Sequence, residues 1–560
     1  MRDVLLSGSD ILVKTLIEQN CETVFGYPGG QILNVYDSLY KYQDEINHVL
    51  TAHEQGATHA ADGYARTTGK VGVVISTSGP GATNLVTGIA TAYLDSIPMV
   101  AICGNVPTTQ IGTDSFQEID ITGVTLPITK HNYFVRDVKD LADTIREAFK
   151  LAMSGRPGPV LIDVPKDVQI AKCEYEPQSA VTREEPFRAE DVRVEEAAQI
   201  INSAKRPFIY FGGGVITSGA QDEVLALAEK IDAPIGCSLM GLSAIPTDHP
   251  RFLGMQGMHG RYSSSMSMHN ADVIVSLGVR FNDRVTGNRT KFAVGAKIVH
   301  VDVDGSELNK TVNSVCGLRG DVKLTLQKLL PLVNAEEKPE WMAKVNAFRA
   351  EEEMYLDNRE GLTPRRAILT INKYLGENTA VCTDVGQHQM WSAQNLNFRT
   401  ARRFASSGGL GTMGYGFGAA IGAAYGTGER SVLVTGDGSF GMNLNELATA
   451  VRYNVPVVVV IMNNGVLGMV RQWQTLFYEK HYSNSVLERK TDFAAFAKAF
   501  GADGEAATTP EELDAALQRA FSTDGPYIID CKIDKDEFVL PMLPPGGSMD
   551  DIITKLEVEL

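Results

Sequence analysis

Within Ser431–Met469, SVLVTGDGSFGMNLNELATAVRYNVPVVVVIMNNGVLGM, two motifs place oxygen ligands where one cation can take them. Asp437, in Gly436-Asp437-Gly438, offers a carboxylate. Asn464 closes a pair of asparagines that follows after 24 residues; it offers an amide oxygen, and the backbone beside it adds carbonyls. Hard oxygen donors of this kind suit Mg²⁺, which keeps positions open for phosphates. The two glycines let the backbone approach a diphosphate closely. A lone GDG reads as a tight turn and nothing more. The pair of motifs, each closing an apolar run, is far more specific.

The flanking residues predict the elements that hold these groups. Ser431–Thr435 and Val455–Met462 read as buried strands. Between them Leu444, Leu447, Ala448 and Val451 recur at helical spacing. Asn443 and Glu446 have the spacing of a capping box, which predicts a helix start there. A strand–helix–strand unit in one sheet is right-handed and parallel. It brings Asp437 and Asn464 to the same carboxyl edge, where ligands bind in open α/β sheets.

At 560 residues the chain exceeds one hydrophobic core, and about three domains are expected. Hydrophobic residues make up 44% and charged residues 21%, as in soluble globular proteins. The net charge of −17 argues against a nucleic-acid or anionic-membrane surface. The apolar runs are of strand length, and the N-terminus lacks the apolar core of a signal peptide. The seven cysteines are scattered without a C-x-x-C, as expected of reduced thiols. A cytoplasmic protein without membrane or nucleic-acid partners is expected.

Strands alternate with helical patterns along the chain, which predicts doubly wound parallel sheets. In the first region Thr23–Tyr27, Gly72–Ser76, Met99–Cys103 and Val160–Val164 read as strands. A helix rich in Ala, Gly and Thr, AHEQGATHAADGYARTTG, carries Glu54 at its start, where the helix dipole favours an acid by a few tenths of a kcal/mol. Residues 171–192 and 335–362 are polar or charged and read as linkers. Between them Pro207–Phe211, Val273–Leu277 and Ile298–Val303 end in Gly and Asp, a nucleotide-style sheet without G-x-G-x-x-G. The last region repeats the pattern of the first. Read alone, Met413 is core filler, Lys166 a solvated lysine and Arg156 a turn residue.

Taken together, GDG-x24-NN, HEQGA and ADGYAR resemble the signature segments of thiamine-diphosphate enzymes. The likeness runs from Ser9 to the tail. Within that group the chain is most similar to acetohydroxyacid synthases: GVRFNDRVTG and GDVK look like their FAD-binding segments, and RQWQ follows the metal motif as in them. The resemblance implies an α/β fold of three doubly wound parallel-sheet domains. These are a pyrimidine-binding domain (1–170), a central FAD-binding domain (190–335) and a diphosphate- and Mg²⁺-binding domain (362–540). A tail, 541–560, would fold over the active site.

The implied activity is that of acetolactate synthase. Pyruvate loses carbon dioxide on thiamine diphosphate, and its hydroxyethyl unit passes to a second pyruvate or to 2-ketobutyrate. The products are 2-acetolactate or 2-aceto-2-hydroxybutyrate, on the route to branched-chain amino acids. A homodimer or homotetramer and a separate small regulatory subunit are implied as well.

By the same resemblance Glu54 contacts the aminopyrimidine ring. An apolar pocket would raise its pKa, so that it shares a proton with a ring nitrogen. Asp437, Asn464 and the Val466 carbonyl hold the metal. Gln387 and His388 reach the diphosphate, with Gly411, Gly436, Gly438 and Ser439 around it and Leu467, Gly468 and Met469 beside them. Met413 props the cofactor into a bent shape. Gly30, Phe116, Gln117 and Lys166 belong to the substrate entrance, and Trp473 helps choose the second substrate. Around the flavin stand Arg156, then Gly213, then Ser238, Leu239 and Met240, then Met258 and His259. Gly278, Arg280, Asp283 and Arg284 follow, with Asp302, Val303, Asp321 and Val322. Asn282 stands where relatives usually carry Asp. Two neighbouring readings are a pyruvate oxidase and a glyoxylate carboligase; the latter lacks the activating Glu. A non-catalytic homologue is a third, opposed by the intact Glu54, Asp437 and Asn464.

Overall fold

Runs of β-branched residues with no polar alternation bury both faces, which is the demand of a parallel sheet covered by helices. Val457–Asn463, VVVVIMN, is buried at every residue but the last. Around such runs the computed structural model, which describes residues 4–555, forms three six-stranded parallel sheets. In the first and third, the strands taken in chain order lie in space as 2-1-3-4-6-5; in the middle sheet they lie as 3-2-1-4-5-6. The middle order is that of dinucleotide-binding folds. Each sheet reverses direction of winding beside its first strand, which makes a crevice at the carboxyl edge. In the third sheet Ser431–Gly436 pairs with Ala380–Thr383 on one side and Val457–Asn463 on the other, so Gly436 lies across from Met462. Residues 1–3 and 556–560, the ends of the expected first domain and tail, lie outside the described residues. Among those described, no helix is long and apolar enough to cross a membrane.

The first and third domains press two helices of small residues together, Glu54–Thr68 and Tyr415–Thr427. A Cβ at Gly422 would lie 1.8 Å from the Ala60 carbonyl oxygen, so only glycine permits this approach. Beside the contact, Arg66 is buried between Asp62 (2.5 Å) and Asp95 (2.9 Å), and the Tyr415 hydroxyl donates to Asp62 at 2.6 Å. Asp95 also accepts the backbone N–H groups of Gly408 and Gly409. Removing one partner from such a buried set costs about 3–5 kcal/mol.

Three expectations are corrected. The segment 335–362 is not a plain linker: Pro339–Glu353 is a helix. Trp341, Val345 and Phe348 form a stripe on it; Trp341 and Val345 join the core of Phe208 and Tyr210, and the Trp341 indole donates to the Pro207 carbonyl at 2.9 Å. Charged residues between the stripe positions hid it. In 171–192, Lys172–Tyr175 pairs antiparallel with Val4–Ser7 before the polar stretch begins. Finally, Asn443 and Glu446 form no capping box. The helix begins at Asp437, directly at the strand end, and Asn443 ends it, its amide donating to the Gly414 carbonyl at 2.7 Å.

Candidate active site

Three helices start where the third sheet's strands end: Gln387–Asn395, Asp437–Asn443 and Gly468–Phe477. Their first residues converge. Asp437 is buried, and the backbone N–H groups of Asp437 and Asn464 face its carboxylate. Burial still pushes its pKa up to about 6, because desolvation outweighs those bonds. The Asn464 Oδ1 accepts the Val466 N–H at 3.2 Å, while its Nδ2 lies 3.4 Å from Gln387 Oε1. Both donor bonds of Gln387 Nε2 are directed elsewhere, to Gln472 Oε1 and the Glu537 carbonyl. His388 is buried, held neutral by desolvation with its pKa down to about 3, and its Nε2 has no partner. The missing Cβ of Gly436 leaves room for its ring. The Ser439 hydroxyl donates to the Val385 carbonyl at 3.0 Å, and Leu467 packs over Gly438. Helix N-termini favour anions, and a buried carboxylate without a basic partner at bonding distance favours a cation. The set fits a metal–diphosphate pair. Among the described residues no three His, Cys, Asp or Glu side chains cluster, so such a metal relies on one carboxylate with amide and backbone oxygens.

A second group gathers on the first sheet. Glu54 is half-buried, and its Oε2 accepts from Asn84 Nδ2 at 2.9 Å. Lys166 Nζ donates to the Gly30 carbonyl at 3.2 Å, tying two of the entrance residues together. Gln117 takes a left-handed backbone (φ 65°) against Gly79, and that turn throws Phe116 outward, 84% exposed. From the third domain, Glu446 reaches this group: its Oε2 accepts the Ala52 N–H at 3.1 Å and the Thr449 hydroxyl at 2.6 Å. Burial pushes the Glu446 pKa up to about 7, and its Oε1 has no partner. Within one chain the Glu54 carboxylate thus has Asn84 as its polar neighbour.

The third group lines a cavity of about 1540 Å³ between the domains. Its walls include Arg156, Gly213, Ser238, Leu239, Met240, Met258 and His259. Gly278, Arg280, Asp283, Arg284, Asp302, Val303, Asp321 and Val322 complete them, with Asn282 beside. Gly411, Met413, Met469 and Trp473 face the same space from the third domain, whereas Glu54 does not. Arg280 is half-buried and donates to the Leu94 carbonyl; desolvation pulls it below the usual arginine range. The His259 Nδ1 is buried without a partner, and burial lifts Asp302 to about 6. A half-buried guanidinium and an unpaired imidazole nitrogen suit an anionic, hydrogen-bonding ligand of dinucleotide size.

Sequence reasoning missed Asn84, which no motif marks, and took Glu446 for a helix cap. Of RQWQ, only Trp473 carries a role in the sequence reading, and Gln472 does not. No local signal marked Gln472, whose burial and partners come from distant parts of the chain.

Family models for thiamine pyrophosphate enzymes match three stretches: the N-terminal TPP binding domain at residues 6–124, the central domain at 194–329, and the C-terminal TPP binding domain at 384–531. The acetolactate synthase isozyme 3 large subunit of Escherichia coli is 42% identical, with 98% of each chain covered. The acetolactate synthase large subunit of Corynebacterium glutamicum is 44% identical over 98% of this chain and 90% of its own. The chain belongs to the acetolactate synthase large-subunit family. A probable member from Methanocaldococcus jannaschii is 43% identical over 99% of this chain and 96% of its own, so the likeness reaches archaea. Membership places all three domains in the thiamine pyrophosphate enzyme fold; the middle sheet lies within its matched region, the third within a few residues of its own, and the first runs on past residue 124 to Pro165.

Proposed function

We propose that this protein is the catalytic subunit that decarboxylates pyruvate and joins the two-carbon unit to a second pyruvate or to 2-ketobutyrate. The single observation that carries the reading is full-length kinship to acetolactate synthase large subunits with Glu54, Asp437 and Asn464 all in place. Bound thiamine diphosphate supplies a nucleophilic carbon and an electron sink. Mg²⁺ would be held by the Asp437 carboxylate, the Asn464 amide oxygen and the Val466 carbonyl, with the diphosphate at the converging helix starts and His388. Glu54 would share a proton between its carboxyl oxygen and the aminopyrimidine ring. Asn84 fixes that carboxylate's direction. Trp473 and Met413 exclude water and shape the space for the second ketoacid.

The central cavity would take FAD, with Arg280 and His259 offered to its phosphates or ring edges. The acetolactate reaction transfers no net electrons, so FAD acts there as a structural element. Glu54 and Asp437 stand in separate groups of one chain, which supports a homodimer, or a homotetramer of such pairs, with each site built across two chains. A small regulatory subunit and a cytoplasmic location complete the reading. The test is purified protein with Mg²⁺, thiamine diphosphate and FAD, given pyruvate with and without 2-ketobutyrate. Acetolactate and acetohydroxybutyrate are expected. Flavin bleaching by pyruvate and dependence on an electron acceptor would instead mark an oxidase.

A further inference from the structure

The segment after the last strand is held residue by residue. Arg471 pairs with Asp536 at 2.6 Å. Gln387, Trp391 and Gln394 lie on one face of one helix, at spacings of four and three. They donate to the backbone carbonyls of Glu537, Phe538 and Leu540. Val539 is gripped at both backbone groups by Gln472, whose Oε1 accepts its N–H at 2.9 Å and whose Nε2 donates to its carbonyl at 3.1 Å. Gln472 is 1% exposed, so these bonds dictate its amide direction.

That direction passes on. With Oε1 set by the Val539 N–H, Gln472 can only accept from Gln387, and Gln387 Nε2 donates to it at 3.0 Å. The same Nε2 donates to the Glu537 carbonyl at 2.7 Å, which leaves Gln387 Oε1 facing Asn464 Nδ2 at 3.4 Å. Asn464 must then turn its Oδ1 the other way, toward Val466. Gly468 is the opening through which this passes. A Cβ there would lie 1.9 Å from Gln387 Oε1 and 2.9 Å from Asn464 Nδ2, so any side chain would break the line.

We infer that Gln472 and Gln387 are positioning residues, a relay of amides by which the docked strap fixes the oxygen, not the nitrogen, of Asn464 toward the metal. The inference rests on the proposed Mg²⁺ site. An Asn that turns its NH₂ to a cation loses a ligand and gains a repulsive dipole. Outer partners of metal ligands are worth about 10- to 100-fold in affinity.

The experiment is calorimetric Mg²⁺ titration at saturating thiamine diphosphate, on wild type, Gln472→Met, Val539→Pro and the double variant. Gln472→Met keeps the length and loses the acceptor; Val539→Pro deletes the one N–H that sets the relay's direction. Trypsin cleavage after Lys535 reports the strap in parallel. Each single variant is expected to weaken Mg²⁺ about 10-fold or more, and the double no further than the weaker single. Unchanged affinity in Gln472→Met, even with a released strap, overturns the relay and leaves Gln472 a tail anchor. Losses that add in the double variant overturn it too. Should Val539→Pro not fold, Gln472→Met alone decides. A wild type that binds no Mg²⁺ overturns the proposed function and the relay together, whereas a wild type that binds it and makes acetolactate isolates the relay.

Discussion

The first and third domains run their strands through the same spatial order, yet their carboxyl edges are finished in opposite ways. At the third sheet the edge is closed: Asp437, Gln387 and His388 are buried, and side-chain amides bond to one another and to a strap. At the first sheet the edge is open: Glu54 is half-buried, Gly30 is exposed and Phe116 projects into solvent. The difference teaches that topology supplies only the place for a site. One edge is built to hold a charged group in a fixed pose. The other presents a half-buried carboxylate and an exposed apolar residue for something to cover.

The sharpest way to break this contrast is Glu54→Gln. If the open edge carries the proton chemistry, turnover falls by about 10²- to 10⁴-fold, in the range of general acid–base groups, with metal and cofactor affinity retained. Turnover near wild type would leave Glu54 a helix-start acid. The second test asks whether the open edge is covered by a partner's closed one. Glu54→Gln and Asp437→Ala proteins, each inactive, are mixed after partial dissociation; a mixed dimer holds one intact site, and activity absent from both should return. Continued inactivity with exchange shown by mass spectrometry would put both groups in one chain's site.

A smaller effect is expected at Trp473, where a hydrophobic wall separates acceptors that differ by one methylene. Such walls discriminate by roughly 10- to 200-fold. Trp473→Leu should still make acetolactate while its preference for 2-ketobutyrate in a competition assay drops toward parity. An unchanged product ratio would return Trp473 to a packing role beside Phe477.

The smallest concerns Glu446, the carboxylate from the closed domain that reaches the open one. Burial lifts it from 4.5 to about 7. Between those values the folded chain keeps a proton that the unfolded chain has released. Stability therefore falls as pH rises through that window and levels off above about 7. From pH 5 to 7 the loss is about 2 kcal/mol at most. Thermal melts of wild type should show this decline, and Glu446→Gln should flatten it. Parallel curves for the two proteins would mean that Glu446 is ionised in the folded state.

Much of this was readable in the residues, for a physical reason. Buried strands declare themselves by composition, and the residues that end them are fixed by local backbone alone, so the strand-end positions of Asp437 and Asn464 stand out. What stayed hidden depends on meetings across the chain. Glu446 touches Ala52 over 394 residues, and Gln387 meets Gln472 over 85; neither pairing leaves a local pattern. Glu446 misled because its spacing from Asn443 satisfies a local rule that a distant contact overrides. The helix Pro339–Glu353 misled by charge, which outnumbers its three buried aromatic and aliphatic residues without preventing their burial. Asn84 carries no local pattern for its bond to Glu54.

The strap's mode of attachment bears on how freely its sequence can change. Three helix side chains hold it by carbonyl oxygens, which every amino acid possesses. What Trp391 recognises at position 538 is therefore blind to the residue there, and Phe538 can be exchanged with little effect on that bond. Position 539 obeys a stricter rule. Its side chain is buried and its N–H is spoken for, so it asks for an apolar residue and excludes proline, just as Asp536 and Glu537 are held to acids by Arg471 and Arg359.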